Sequence, residues 1–335
     1  MSGTPLPRST GPYLLVAVFV IIGLLALPLA IADQPFELRM VTLVFLFATM
    51  GHGWNVLGGF GGQISIGHGL YFGLGAYTSA VLSVRFGVNP WVGLPIAILV
   101  PTLCGVMIGV PCFRLRGHYF VIATLVVAES AFQIFTVWDW VGGATGLELP
   151  VRREGWLNFQ FHRDKTPYYY IAFGMLILVT VAIWWLRRSR LGFLLRAVRD
   201  DEMAVRSLGF SPQLYKSIAM AISAAVLGAA GMFHAQYVLF VDPFSVLGLH
   251  ISIMVALFAI LGGSGTLFGP ILGAAVLVPL SEYSRIAFSG NGRNVDLLVY
   301  GFMIMLIAAY QPDGLIGWLR RLSNRFRRIG ASTKG

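Results

Sequence analysis

Charged residues are scarce in this sequence. They make up 11% of the 335 residues, whereas hydrophobic residues make up 57%. A soluble domain usually carries about 25% charged residues, so this composition excludes an ordinary soluble domain and places the chain in a bilayer. The two cysteines, Cys104 and Cys112, are too few for a disulfide framework and lack metal-ligand spacing. We interpret them as small hydrophobic residues and expect no metal site.

Signatures of catalysis are lacking as well. No G-x-x-x-x-G-K-[ST] phosphate-binding loop occurs, so the chain is not expected to be an ATPase. No H-E-x-x-H motif occurs, and Ser264 does not complete a G-x-S-x-G motif, which argues against an intramembrane enzyme. The net charge of +10 comes largely from two basic clusters, and we expect no nucleic-acid partner.

Long apolar segments dominate what is present. A membrane span needs roughly 20 apolar residues, and its backbone must form its hydrogen bonds internally, as a helix does. The predicted spans are 13–32, 38–57, 70–84, 91–112, 118–137, 168–186, 216–240, 247–263, 266–288 and 295–311. We therefore expect an all-α fold, a polytopic membrane helix bundle of about 8–10 transmembrane helices, with the lower number if some segments are broken or re-entrant.

The first apolar segment has two interpretations. Ala30-Ile31-Ala32 before Asp33 fits a signal-peptidase site. The apolar run, however, is longer than the roughly 7–15 residues of a signal peptide. We favour a retained helix.

Positive residues predict the orientation, because Lys and Arg concentrate in cytoplasmic loops. One basic cluster lies in the loop 187–216 and another in the tail 319–335, which follows a transmembrane domain over 1–318. Four predicted spans separate the two clusters, so both can be cytoplasmic, as can the N-terminus. The loop 138–167 mixes acids with bases and is then external.

Glycine is abundant, with 40 residues, and it is dense in GGFGGQISIGHG, residues 58–69. Two alternatives stay open for this segment: an irregular backbone inside the bundle, beside a water-filled path, or a cytoplasmic turn. Residues 58–61 (GGFG) resemble residues 262–265 (GGSG), and glycine-interrupted segments in two halves can mark a transport path. Small residues also let membrane helices approach closely. The glycines assigned to helix packing are Gly69, Gly73, Gly262, Gly263, Gly269 and Gly273.

Few polar residues interrupt the spans. An acid at the bilayer centre costs about 2.5–3.5 kcal/mol on insertion scales, so each is a candidate for function. Glu282 and Arg285 are spaced as a helical ion pair, whereas Glu129 has no partner within one turn. The candidates for a translocation path are Gln63, Ser65, His68 and Glu129, although a histidine such as His68 is more often a satisfied core residue.

The loop 187–216 is long for a connection within a bundle. Asp200 or Asp201 can cap a short helix, and Gly209 can end it. This helix would present Ala204 and Leu208 on one face, with arginines around them. A short apolar ridge in a charged frame is typical of a plug for a partner's groove. The alternative is a helix lying on anionic lipid headgroups.

Six segments, in order, resemble the signature of the branched-chain amino-acid ABC permeases of the LivM type. They are NVLGGFGGQISIGHGLYFGLGAYTSA (55–80), RLRGHYFVIATL (114–125), VGGATGL (141–147), GFLLRAVRDDEMAVRSLGF (192–210), LGGSGTLFGPILGA (261–274) and QPDGLIG (311–317). The resemblance implies that the loop 187–216 carries the helix that docks on an ATPase. The residues assigned to this coupling loop are Arg199, Asp201, Glu202, Ala204, Leu208 and Gly209.

The same resemblance implies the permease subunit of an ABC importer in the bacterial inner membrane. It would pass branched-chain or related amino acids inward by ATP-driven alternating access. The implied partners are a second homologous permease, cytoplasmic ATP-binding subunits and an external solute-binding protein. ATP and Mg would bind the ATP-binding subunits, and this chain would hold no cofactor. An ion-coupled secondary transporter is the alternative, with Glu129 as its candidate relay residue.

Overall fold

The structure is a computed structural model that describes residues 11–31, 33–115, 117–288, 301–302 and 314–317. The basic tail 319–335 lies outside the described residues, as does nearly all of the predicted span 295–311.

The described chain is almost entirely helical. Its α-helices are α1 (Gly11–Ile31), α2 (Pro35–Trp54), α3 (His68–Arg85), α4 (Pro90–Cys112), α5 (His118–Val137), α6 (Thr166–Arg188), α7 (Arg190–Asp200), α8 (Glu202–Ser207), α9 (Pro212–Val238), α10 (Pro243–Val246), α11 (Leu249–Gly263) and α12 (Gly269–Phe288). A π-helix over Asn55–Phe60 extends α2, and 3-10 turns lie at Asp139–Val141, Gly143–Thr145 and Trp156–Asn158. Two short strands, β1 (Leu147–Glu148) and β2 (Phe240–Val241), pair antiparallel.

Six of the described helical segments are long and apolar enough to cross a membrane. They are Pro35–Phe60, Pro90–Cys112, His118–Val137, Thr166–Arg188, Pro212–Val238 and Pro243–Gly263. The predicted spans 13–32, 70–84 and 266–288 are also helical, as α1, α3 and α12, but are not among the six. The fold class predicted from the sequence, a polytopic helical membrane protein, is therefore confirmed.

Helix α9 lies at the centre of the bundle, between α3 and α4 and against α2. Small residues make this packing close. A Cβ at Gly228 would lie 2.7 Å from the Ala97 carbonyl oxygen, and one at Gly75 would lie 2.6 Å from Gly228 Cα. Backbones this near require glycine, as expected for helices that associate in lipid through close van der Waals contact.

Helix α2 with its π-helical extension is also deeply buried, with 83% of its most apolar stretch inside the protein. It contacts α6 through Phe45, whose ring lies 5.1 Å from that of Tyr169. His52 Nε2 and Thr180 Oγ1 share a hydrogen bond of 3.1 Å across the same interface. Helix α1 is held to α6 by the Tyr169 hydroxyl, which donates to the Leu24 carbonyl at 2.6 Å.

The segment 138–167 is folded rather than an open loop. Strand β1 places Leu147 opposite Val241 of β2 and so joins this segment to the chain after α9. The backbone amides of Arg163 and His162 donate to one Glu154 carboxylate oxygen, and these bonds hold the pKa of that carboxyl below its usual value. Residues 138–167 and β2 mark one end of the bundle, the strand end. Helices α7 and α8 mark the other, the α8 end.

Candidate functional site

The loop 187–216 folds as two short helices. Asp201 caps α8, since its Oδ1 accepts from the amides of Met203 at 2.8 Å and Ala204 at 3.0 Å. The predicted cap is thus confirmed at Asp201, while Asp200 ends α7. Gly209 follows α8 with φ +84°, a conformation that favours glycine. A Cβ at Gly209 would meet nothing within 4 Å, so any cost of a side chain there is conformational.

Helix α7 is not predicted from the sequence. Its buried residues, Gly192, Leu195 and Val198, recur every three residues. This spacing is typical of a helix with one apolar face, and it is the signal by which α7 could have been found.

Helix α8 presents an apolar ridge to the outside. Met203 is 63% exposed and Leu208 is 75% exposed, and Ala204 is exposed beside them. Val205 points the other way and is 4% exposed. An apolar ridge that the described chain leaves uncovered is typical of a surface that binds another molecule.

Glu202 points back to the bundle rather than outward. Its Oε2 accepts from Lys216 Nζ of α9 at 2.7 Å, and its Oε1 accepts from Arg206 at 3.3 Å. The Lys216 side chain is only 4% exposed. The sequence presents Lys216 as one of many cytoplasmic cations, but its structural role is to tie α8 to the central helix.

Arg199, on the last turn of α7, reaches the glycine-rich segment. Its Nη1 donates to the Gly59 carbonyl oxygen at 2.6 Å. A Cβ at Gly62 would lie 2.7 Å from Arg199 Cγ, and one at Gly265 would lie 2.8 Å from Arg199 Nη1. The two similar motifs 58–61 and 262–265 therefore meet at the α8 end, beside one arginine of the candidate coupling loop.

The second half of the glycine-rich segment enters the bundle. Ser65 and His68 are fully buried. His68 Nε2 shares a hydrogen bond of 2.9 Å with Ser223 Oγ, and Gly69 N donates to Ser252 Oγ at 2.8 Å. Ser223 lies eleven residues into α9, about 16 Å from its start at 1.5 Å per residue. Of the two alternatives for 58–69, the buried irregular backbone describes 65–67, and α3 begins at His68.

Gln63 and Glu129 lie apart from that buried network. Gln63 is half-buried near the α8 end, where its backbone N–H donates to the Leu57 carbonyl. Glu129 is half-buried on α5 and accepts from Gln133 Nε2, four residues on, at 3.1 Å. The interpretation that Glu129 has no partner within one turn is therefore wrong. The partner of Glu129 is an i,i+4 amide and not an opposite charge.

The glycines assigned to helix packing lie at close backbone approaches. A Cβ at Gly69 would lie 2.8 Å from Ser252 Oγ, and one at Gly73 would lie 2.5 Å from Leu247 Cγ. Gly262 and Gly269 face each other where α11 turns into α12, Gly263 lies beside Gly269, and Gly273 lies against the Phe258 carbonyl. Gly263 also has φ +122°.

The described helical bundle, with six helices long and apolar enough to cross a membrane, is that of a multi-pass membrane protein. The chain matches the family described as branched-chain amino acid transport system / permease component over residues 37–308, and it belongs to that family.

Individual relatives agree with this assignment. The chain is 32% identical over 303 residues to the high-affinity branched-chain amino acid transport system permease protein LivM of Escherichia coli, covering 84% of this chain and 70% of the relative. It is 25% identical over 278 residues to a probable LivM of Methanocaldococcus jannaschii, covering 74% and 78%. It is 23% identical over 291 residues to LivH of Salmonella typhimurium, covering 83% and 93%. No solved structure matches the chain.

Proposed function

We propose that this chain is the permease subunit of an ABC importer that passes branched-chain or related amino acids inward. Transport would follow ATP-driven alternating access in the bacterial inner membrane. The proposal places the α8 end and both termini in the cytoplasm and the strand end outside. The relatives named for branched-chain amino acid transport support the substrate class.

The exposed ridge of α8 is the observation that carries the proposal. Met203, Ala204 and Leu208 project from a helix fixed at its start by the Asp201 cap and held to α9 by Glu202. A helix held in this way can transmit a push from a bound partner into the bundle instead of absorbing it by fraying. A cytoplasmic ATP-binding subunit with an apolar groove would fit the ridge, and ATP and Mg would bind that subunit.

Two further partners complete the proposed importer. A second homologous permease would pack beside this chain, and an external solute-binding protein would deliver the amino acid at the strand end. We assign the translocation path to Gln63, Ser65, His68 and Glu129. Because the external protein would supply the affinity, these residues need only provide a polar passage through the bilayer.

The test compares two exposed leucines at opposite ends of the bundle. Leu208 is 75% exposed on the ridge, and Leu157 is 82% exposed near the strand end. Each is changed to Asp in the complex reconstituted into proteoliposomes with its partner subunits. We expect L208D to release the ATP-binding subunits and to lose ATP-driven uptake, while L157D keeps the ATP-binding subunits bound. Uptake that continues without ATP would instead indicate a secondary transporter.

A further inference from the structure

The two glycine-rich motifs form one joint, although about two hundred residues separate them. The side-chain amide of Asn55 bonds to two consecutive residues of the turn between α11 and α12. Its Oδ1 accepts from Gly265 N at 2.7 Å, and its Nδ2 donates to the Thr266 carbonyl at 2.8 Å. A Cβ at Gly59 would lie 2.5 Å from Gly265 N. The end of α2 and the turn between α11 and α12 are therefore in direct backbone contact. We call residues 58–62 together with 263–266 the glycine joint.

Arg199, in the last turn of α7, contacts this joint. Its Nη1 donates to the Gly59 carbonyl at 2.6 Å, beside Gly265, and its aliphatic stem passes Gly62. The Gly59 carbonyl belongs to the last turn of the helical segment that ends at Phe60, where the helix dipole is negative and a cation is favoured. A guanidinium is well suited to such a contact because it is always charged and donates in a fixed geometry.

The position of Arg199 along the chain connects the joint to α8. It stands two residues before Asp201, the cap of α8, at the end of a helix whose other face is buried through Leu195 and Val198. The segment α7–α8 thus has two polar attachments to the bundle. One runs from Glu202 to Lys216 of α9, and the other runs from Arg199 to the glycine joint.

We propose that Arg199 is a positioning residue that transmits displacement of α8 to the glycine joint, and through it to α2, α11 and α12. This inference rests on the proposed function, because it names the route by which a partner's push on α8 reaches the helices beyond α9. The joint is suited to the task, since glycine backbones that touch without side chains can slide or hinge with few steric barriers.

The bond between Arg199 and the Gly59 carbonyl can be tested by substitution. Arg199 is exposed along much of its length, so its replacement removes one hydrogen bond at the surface without opening a cavity in the core. Met is the variant of choice, because R199M keeps the stem that passes Gly62 and removes the donor to the Gly59 carbonyl. The matched control is R190M, since Arg190 is an exposed arginine at the start of the same helix.

The measurement is the number of amino acids taken up per ATP hydrolysed by the reconstituted complex. We expect uptake per ATP hydrolysed to fall about tenfold or more in R199M, measured on complexes that hold their ATP-binding subunits. R190M should keep the parent ratio. A ratio in R199M equal to the parent's would overturn the inference, as would an equal loss of uptake and hydrolysis.

A second readout follows the joint itself. Spin labels at Ser264→Cys and Leu157→Cys, in a background without Cys104 and Cys112, report the distance from the joint to the strand end. We expect an ATP-dependent change in that distance in the parent and its loss in R199M. A change that persists in R199M would contradict the role of Arg199.

A further variant covers the case in which R199M does not assemble. R199K keeps the charge but reaches one bond less far, so uptake per ATP should fall by a smaller factor, and an unchanged ratio would overturn the inference. These outcomes differ from a failure of the proposed function, in which the parent itself would show no ATP-driven uptake.

Discussion

The ion pair between Glu202 and Lys216 provides the sharpest prediction from this structure. Lys216 has a side chain that is 4% exposed and lies 2.7 Å from Glu202 Oε2. Removing one partner of a buried pair costs about 3–5 kcal/mol, because the other charge stays buried and uncompensated. Glu202 is 29% exposed, so water can replace part of the lost interaction, and glutamine can still accept a hydrogen bond.

We therefore expect E202Q to weaken the docking of α8 on α9 by about 2 kcal/mol, within the range of about 1.5–3 kcal/mol for a hydrogen bond to a charged group. The bond from Arg206 is exposed and contributes only about 0.3–0.5 kcal/mol. A loss of about 2 kcal/mol raises the open fraction of α8 roughly 30-fold.

Amide hydrogen exchange over α8 measures this change directly. The amides of Val205, Leu208 and Phe210 donate within the α8 segment and should exchange faster in E202Q. D200N is the matched control, because Asp200 is an exposed acid at the end of the preceding helix. The α8 amides of D200N should exchange at the parent rate.

The two partners should respond unequally to removal. K216M leaves Glu202 with Arg206 and with partial solvent exposure, so it should open α8 less than E202Q does. The double variant E202Q/K216M has no buried charge left and should recover part of the protection. Parent-like exchange in E202Q, or a double variant no better protected than E202Q, would refute the reasoning.

Two further predictions concern single residues of the site. G209A places an alanine at φ +84°, which should cost about 1–2 kcal/mol. The unfolding temperature and the ATP-driven uptake of the complex should both decline. An unaltered protein would show that this turn tolerates a side chain. E129Q keeps the bond with Gln133 but removes the charge on α5. Uptake rate or substrate preference should change in proteoliposomes, and a variant indistinguishable from the parent would make Glu129 structural only.

The long helices could be predicted from the sequence because apolar length decides them, whereas the short helix α7 was missed. The Asp201 cap could also be predicted, since an acid before a short amphipathic segment has a local physical reason to stand there. Helix α2, however, continues to Phe60 through glycines that disfavour a helix. Its continuation depends on Asn55, whose partners Gly265 and Thr266 are distant in the chain.

The residue types of the candidate coupling loop are visible in the sequence, but their arrangement is not. Charge counting describes Arg199, Glu202 and Lys216 equally well as residues of a basic loop. Only the fold shows that Glu202 turns inward to Lys216 and that Arg199 spans 140 residues of sequence to reach Gly59. Pairings of this kind depend on how helices pack, and no local pattern encodes them.

The glycine joint gives a physical reason for the weak similarity between GGFG and GGSG. Each motif lies at the α8 end, where one helical segment stops and the chain turns back. The backbones touch there, so a side chain at Gly59 would collide with Gly265 N, and one at Gly265 would displace Arg199. Gly59 and Gly265, one glycine from each motif, are thus under a steric demand at the same place, whereas Gly262 meets the Gly269 carbonyl instead. Close approach at each position accounts for these glycines, whether or not the two halves of the chain share an origin.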